Sequence, residues 1–124
     1  CSSLVSVIIP ETVTSIGDNA FGGCCSLLQI KIPELVCSIG NYAFQGCTAL
    51  QNFNFPSSLK SIGYGAFIDC KSLTKIIIPS NVQSVGDLAF KGCSSLVNIT
   101  VPKYLYVKGN SFKFDHNVEV TYNS

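Results

Sequence analysis

The chain has 124 residues, 47% hydrophobic and 12% charged, with a formal net charge of +1. That balance excludes a disordered chain, and eight lysines without a single arginine give no electrostatic case for nucleic acid or an acidic membrane surface. No apolar run approaches the roughly 18 residues that cross a bilayer, so this piece is not expected to insert into a membrane directly.

The chain opens on Cys1 in mid-phrase, with neither Met nor the charged and apolar start of a signal peptide. That start predicts an excised piece of a longer protein. Leu4 comes next, then the alternating pair Val7 and Ile9, then Pro10. Alternation predicts a short strand with one face inward, and Pro, lacking an N–H, ends the ladder. Val13 and Ile16 follow, then Gly17, the pair Ala20 and Phe21, and Cys24. The glycine marks a backbone that needs positive φ or one that leaves no room for a Cβ. A small residue beside a large one predicts a short helical turn, with Phe filling the far side of a coil.

The same phrase returns every 23 residues, as SIGDNAFGGC, SIGNYAFQGC, SIGYGAFIDC and SVGDLAFKGC, ending at Cys24, Cys47, Cys70 and Cys93. The strand pairs return as Ile30 and Ile32, Phe53 and Phe55, Ile76 and Ile78, Ile99 and Val101, closed by Pro33, Pro56, Pro79 and Pro102. This gives units 1–23, 24–46, 47–69 and 70–92 and a partial fifth, 93–107. One such unit cannot cover its own apolar face; stacked neighbours can. The array is therefore assigned to 1–107 and a closing segment to 108–124. There the phase drifts: Lys108 stands where an inward Ile belongs, and Phe112 comes one residue early after Gly109. Val118, Val120 and Tyr122 alternate as a closing strand, with Lys108, Lys113 and Glu119 keeping the exposed end soluble.

Five of the seven cysteines, at 1, 24, 47, 70 and 93, share one repeat position, while Cys25 and Cys37 are extra. Disulfides, a metal site, a nucleophile and a buried file of small apolar residues compete as explanations. Equivalent residues of stacked coils sit about 5 Å apart with parallel Cα–Cβ vectors, whereas a disulfide needs Cβ atoms converging to about 3.8 Å. The spacing C-x₂₋₄-C of zinc sites does not occur, and the one histidine, His116, lies in the closing segment. The buried file is the reading that fits; no metal and no cofactor are expected. Asp18 and Asp87 share a position after the glycine that Asn41 and Tyr64 also hold, which reads as an arc facing water rather than a paired acid and base.

The unit L-x-x-V-x-I-P-x-x-V-x-x-I-G-x-x-A-F-x-x-C resembles a leucine-rich repeat, and more narrowly the BspA-like class of surface proteins, over residues 1 to about 107. The resemblance implies a right-handed leucine-rich repeat solenoid, mostly β, with a parallel sheet on its concave side and short helical turns on the return arc. It also implies an adhesive or recognition surface without catalysis, at the cell surface or secreted.

On the concave sheet, residues between the inward pairs form two outward columns: Ser6, Gln29, Asn52, Lys75 and Asn98, and Ile8, Lys31, Asn54, Ile77 and Thr100. The inward files hardly vary, while these mix amides, lysines, hydroxyls and two isoleucines. They suit a protein or glycan ligand, with Gln29, Lys31, Asn52, Asn54, Lys75, Ile77, Asn98 and Thr100 as candidate contacts. Asn98, Ile99 and Thr100 also match the acceptor pattern for N-glycosylation. An uncapped first coil predicts self-association through residues 1–10. The competing reading is an intracellular, cytoplasmic interaction scaffold built from the same coils, favoured by free thiols; a cysteine hydrolase needs a Cys–His pair that the repeat phase does not supply.

Overall fold

The computed structural model describes residues 5–51, 53–102 and 118–123. Cys1, Leu4, Asn52, Lys108, Phe112, Lys113, His116 and the boundary between 107 and 108 lie outside them, as do the first four residues of the segment expected to self-associate. The described residues form a parallel β-solenoid without a helix. The Leu-x-x-Val-x-Ile-Pro half of the first, second, fourth and fifth coils gives β1 (Ser6–Ile8), β3 (Gln29–Lys31), β6 (Lys75–Ile77) and β8 (Asn98–Pro102). Pairing advances 23 residues per coil, Ser6 opposite Gln29 and Lys75 opposite Asn98. β9 (Glu119–Asn123) adds a further parallel rung on β8, with Val118 and Val120 packed against the core.

Each coil carries a second strand that the sequence reading does not anticipate. β2 (Ser15–Ile16), β4 (Ser38–Ile39), β5 (Ser61–Ile62) and β7 (Ser84–Val85) stack as an unbroken parallel sheet. The ladder runs on through the glycines: Gly63 N–H donates to Ile39 O at 2.8 Å and Gly86 N–H to Ile62 O at 2.7 Å. These glycines settle the open alternative. Their φ is not positive; a Cβ on Gly63 would lie 2.5 Å from the carbonyl carbon of Gly40, and one on Gly40 would lie 2.6 Å from Asp18 N. Positive φ falls elsewhere, at the residues one and five places before each Cys: Gly23, Gly46, Asp69 and Gly92, and Asn19, Tyr42, Gly65 and Leu88.

The return arc is a run of hydrogen-bonded turns rather than the short helical turn expected. Its N–H groups alternate between two kinds of partner. Phe44 N–H donates to Ala66 O of the next coil at 2.8 Å, while Gln45 N–H closes a local turn onto Tyr42 O at 3.2 Å. Sending every second donor to a neighbouring coil satisfies the backbone without a helix. Side chains extend the ladder: Asp18 Oδ1 accepts from Asn41 N–H and Asn41 Oδ1 from Tyr64 N–H, both at 2.8 Å. Asp18, Asn41, Tyr64 and Asp87 all face water as expected, and Asp18 and Asn41 in addition bridge coils.

Two files fill the interior. The rings of Phe21, Phe44, Phe67 and Phe90 stack at 5.2 to 5.5 Å between centroids, each pair tilted by 12°. Beside them runs the cysteine file, buried from Cys24 to Cys93. It is more than a column of small hydrophobes, because each thiol donates to the coil before it. Cys47 Sγ lies 3.2 Å from Phe21 O, Cys70 Sγ 3.1 Å from Phe44 O and Cys93 Sγ 3.2 Å from Phe67 O. Each carbonyl also accepts the N–H of its own coil's Cys, as Phe44 O does from Cys47 N at 3.3 Å, so both of its lone pairs are used. Cys24 is the exception to the free file, being disulfide-bonded; Cys25, Cys37, Cys47, Cys70 and Cys93 are free thiols.

Burial pushes the Cys47 thiol up to about 11 and holds Cys70 well above the ordinary range, where neighbouring thiols add to the effect. Thiolate formation therefore favours the unfolded chain. The Cys47 contribution to stability is intact below pH 9.0 and is lost as pH rises toward about 11.

Two outcomes follow from this packing. Gly63→Ala should cost roughly 3 kcal/mol in denaturant unfolding, whereas Gly17→Ala, whose Cβ would meet nothing within 4 Å, should cost less than about 1 kcal/mol; equal costs would contradict the close approach of coils. Among the described residues, a thiol reagent at pH 8 should label the exposed Cys25 and Cys37 in the native chain, and Cys47, Cys70 and Cys93 as well only after unfolding without reductant. Labelling of native Cys47 as fast as Cys25 would contradict the hydrogen-bonded file.

Candidate functional site

The outward columns stand on a sheet that is interrupted in its middle. β1 pairs with β3, and β6 with β8 and β9, but residues 53–55 of the third coil form no strand. The cause is in the side chains. Phe53 and Phe55 replace the Ile and Val of the other coils, and the Phe53 ring packs edge-on against the side of the Phe44–Phe67 stack, at 5.0 and 4.9 Å. Phe55 packs edge-on against Phe53 at 4.9 Å and Phe67 at 5.6 Å. Seating two rings where aliphatic chains sit elsewhere draws the segment off the ladder. At its entry the rung from Gln51 N–H to Leu28 O stretches to 3.5 Å, against 2.9 Å for Leu28 to Val5 and Val97 to Thr74.

A groove of about 630 Å³ opens over this interruption. β1 contributes Ser6 and Ile8, and β3 contributes Gln29 and Lys31 with Glu34 just beyond it. The third coil adds Asn54, Phe55 and Pro56. Three of the eight predicted contacts, Gln29, Lys31 and Asn54, meet here, all exposed. Asn52 lies outside the described residues. Lys75 and Ile77 project from β6, beyond the groove, with Ile77 51% exposed.

Asn98 and Thr100 are half-buried on β8. The Asn98 carboxamide donates to Glu119 O, Glu119 Oε1 and Thr121 Oγ1, each at 3.2 Å. It ties β9 to the array, so its donor capacity is committed to the closing strand. Sequence reasoning left Glu34, Phe55 and Pro56 out of the site. The available signal was the Phe pair at 53 and 55, the one aromatic substitution in an otherwise aliphatic inward file.

Among the described residues no group of three His, Cys, Asp or Glu side chains is placed to hold a metal ion, and no helix is long and apolar enough to cross a membrane. The buried thiols are held protonated and aimed at carbonyls, an arrangement that stabilises packing and opposes nucleophilic attack.

The family model for the BspA type leucine rich repeat region matches residues 1–119 in six copies. Among solved structures, the chain is similar to a leucine-rich cell surface protein from Faecalibacterium prausnitzii, with 32% identity and a TM-score of 0.88 over 97% of this chain and 32% of that one. A leucine-rich repeat protein from Bacteroides ovatus aligns at 35% identity and TM-score 0.74 over 85% of this chain and 33% of its own. The Treponema pallidum leucine-rich repeat protein aligns at 25% and 0.69, over 77% and 58%. The chain thus spans between 32% and 58% of the lengths of these relatives. No curated protein matches it. With its stacked coils, its Ile-Gly contacts and the family match along nearly its whole length, the chain belongs to the BspA-type leucine-rich repeat family.

Proposed function

We propose that this chain is a non-catalytic recognition and adhesion module of a cell-surface or secreted protein, holding a protein or glycan partner on the sheet face. One observation carries the reading. Side chains pointing into the coil are nearly uniform from unit to unit, while those pointing out of the sheet are mixed in chemistry: Gln29, Lys75 and Asn98 in one column, Ile8, Lys31, Asn54 and Ile77 in the other. Packing accounts for the first set and, apart from Asn98 with its bonds to the closing strand, makes no such demand on the second. A repeat scaffold that holds a row of dissimilar side chains on a rigid sheet is suited to recognition.

The surface location draws support from the Faecalibacterium relative, which is itself a leucine-rich cell surface protein. The disulfide at Cys24 fits an oxidising compartment, whereas the exposed free thiols Cys25 and Cys37 are what favours the cytoplasmic scaffold as a second reading.

The test replaces Lys31, Asn52, Asn54 and Lys75 together by Ala and measures retention of beads coated with the chain on immobilised matrix proteins and mucin glycans. With an unchanged circular dichroism spectrum, retention on any surface that holds the native chain should fall about tenfold or more. Undiminished retention would move the binding surface off the sheet face.

A further inference from the structure

We infer that the groove over the third coil is a binding site for a short, neutral oligosaccharide. The inference rests on the recognition reading above and narrows it to one place and one ligand chemistry. The cavity, at about 630 Å³, falls in the roughly 300–1,000 Å³ range of small-ligand sites. It spans only the first three coils, a short footprint for the roughly 800 Å² that each side of a stable protein interface buries.

Its chemistry matches hydroxyl groups. Gln29 and Asn54 each present a carboxamide with both donors and an acceptor, and Ser6 presents a hydroxyl that does both. A sugar hydroxyl also donates and accepts, so neighbouring hydroxyls can bridge such groups without leaving an unpaired partner. Lys31 and Glu34 contribute one charge of each sign, so the groove favours neither anion nor cation. The chain contains no arginine for a bidentate grip on phosphate or sulfate. The exposed Ile8 and the half-buried Phe55 supply apolar surface against which the C–H face of a pyranose can lie.

The interruption gives the groove its position. Residues 53–55 stand off the ladder because their rings are held in the core, so the groove persists without a ligand. A site already formed loses less freedom on binding than one that must open.

The experiment titrates the isotopically labelled chain with maltohexaose, cellohexaose, laminarihexaose and mannohexaose and follows backbone and side-chain amide signals by NMR. At least one of these neutral sugars should shift the side-chain NH₂ signals of Gln29 and Asn54 and the backbone signals of 29–34. The affinity should change less than about twofold between roughly 0.05 and 0.5 M salt, because no net charge is involved. Gln29→Ala with Asn54→Ala should weaken that binding about tenfold or more, and Asp87→Ala with Lys91→Ala, both exposed on the return arc, should leave it unchanged.

If none of the four sugars shifts a signal, or if sugar shifts map to β6 and β8, the groove assignment is overturned while sheet-face recognition stands. Shifts confined to the return arc overturn both. If the groove answers to extended peptides and to none of the sugars, the ligand class is wrong.

Discussion

Successive coils touch, backbone against backbone, along the edge where Ile meets Gly, and everything else in the molecule is arranged around that contact. A Cβ on Gly40 or Gly63 would stand 2.5 to 2.7 Å from atoms of the preceding coil. The requirement for glycine here is therefore about distance, not about backbone angle. Once that edge is closed, the Ser-Ile strands pair, the glycine N–H groups reach back to the isoleucine carbonyls, and the return arcs come within hydrogen-bonding range. Like side chains then stack because the coils have no freedom to slide.

That alignment explains why the interior tolerates so little variety. A stacked Phe file needs rings at nearly the same tilt in every coil, and the 12° between neighbours shows how nearly they repeat. Cysteine is favoured beside it because the site requires a small buried group that can still donate a hydrogen bond. Alanine offers no donor, and serine loses more than a thiol does when it is taken out of water. The carbonyl of each Phe is the common acceptor, taking an N–H from its own coil and an S–H from the next. Thiols used this way gain nothing from ionising, and burial keeps them protonated.

The solenoid, its period and its inward files could be read from spacing alone, since every unit repeats the residues that face neighbours. Three features could not. The Ser-Ile strand is two residues long and shows no alternation to detect. The positive-φ positions are occupied by Asn19, Tyr42, Asp69 and Leu88 as well as by glycines, so composition gives no consistent sign of them. The break in the sheet depends on how two Phe rings share space with Phe44 and Phe67, a three-dimensional fit that periodicity does not express. The same limit applies to the candidate site. The outward columns named Gln29, Lys31 and Asn54, but the groove that unites them with Glu34 and Phe55 exists because the third coil departs from the pattern. At the other end, Asn98 looked like another free amide until the closing strand took up its donors.

Function in such a scaffold arises where the repeat is allowed to differ. The paired edge and the buried files hold the coils rigid, and the sheet face carries the variation, so the departure at residues 53–55 coincides with the groove. Amide hydrogen exchange tests this division most directly. The account predicts strong protection at Phe44, Gly63, Phe67 and Gly86, whose N–H groups bond between coils, and rapid exchange at Phe53, Asn54 and Phe55. Protection of residues 53–55 equal to that of β3 and β6, or fast exchange at the glycines, would contradict it.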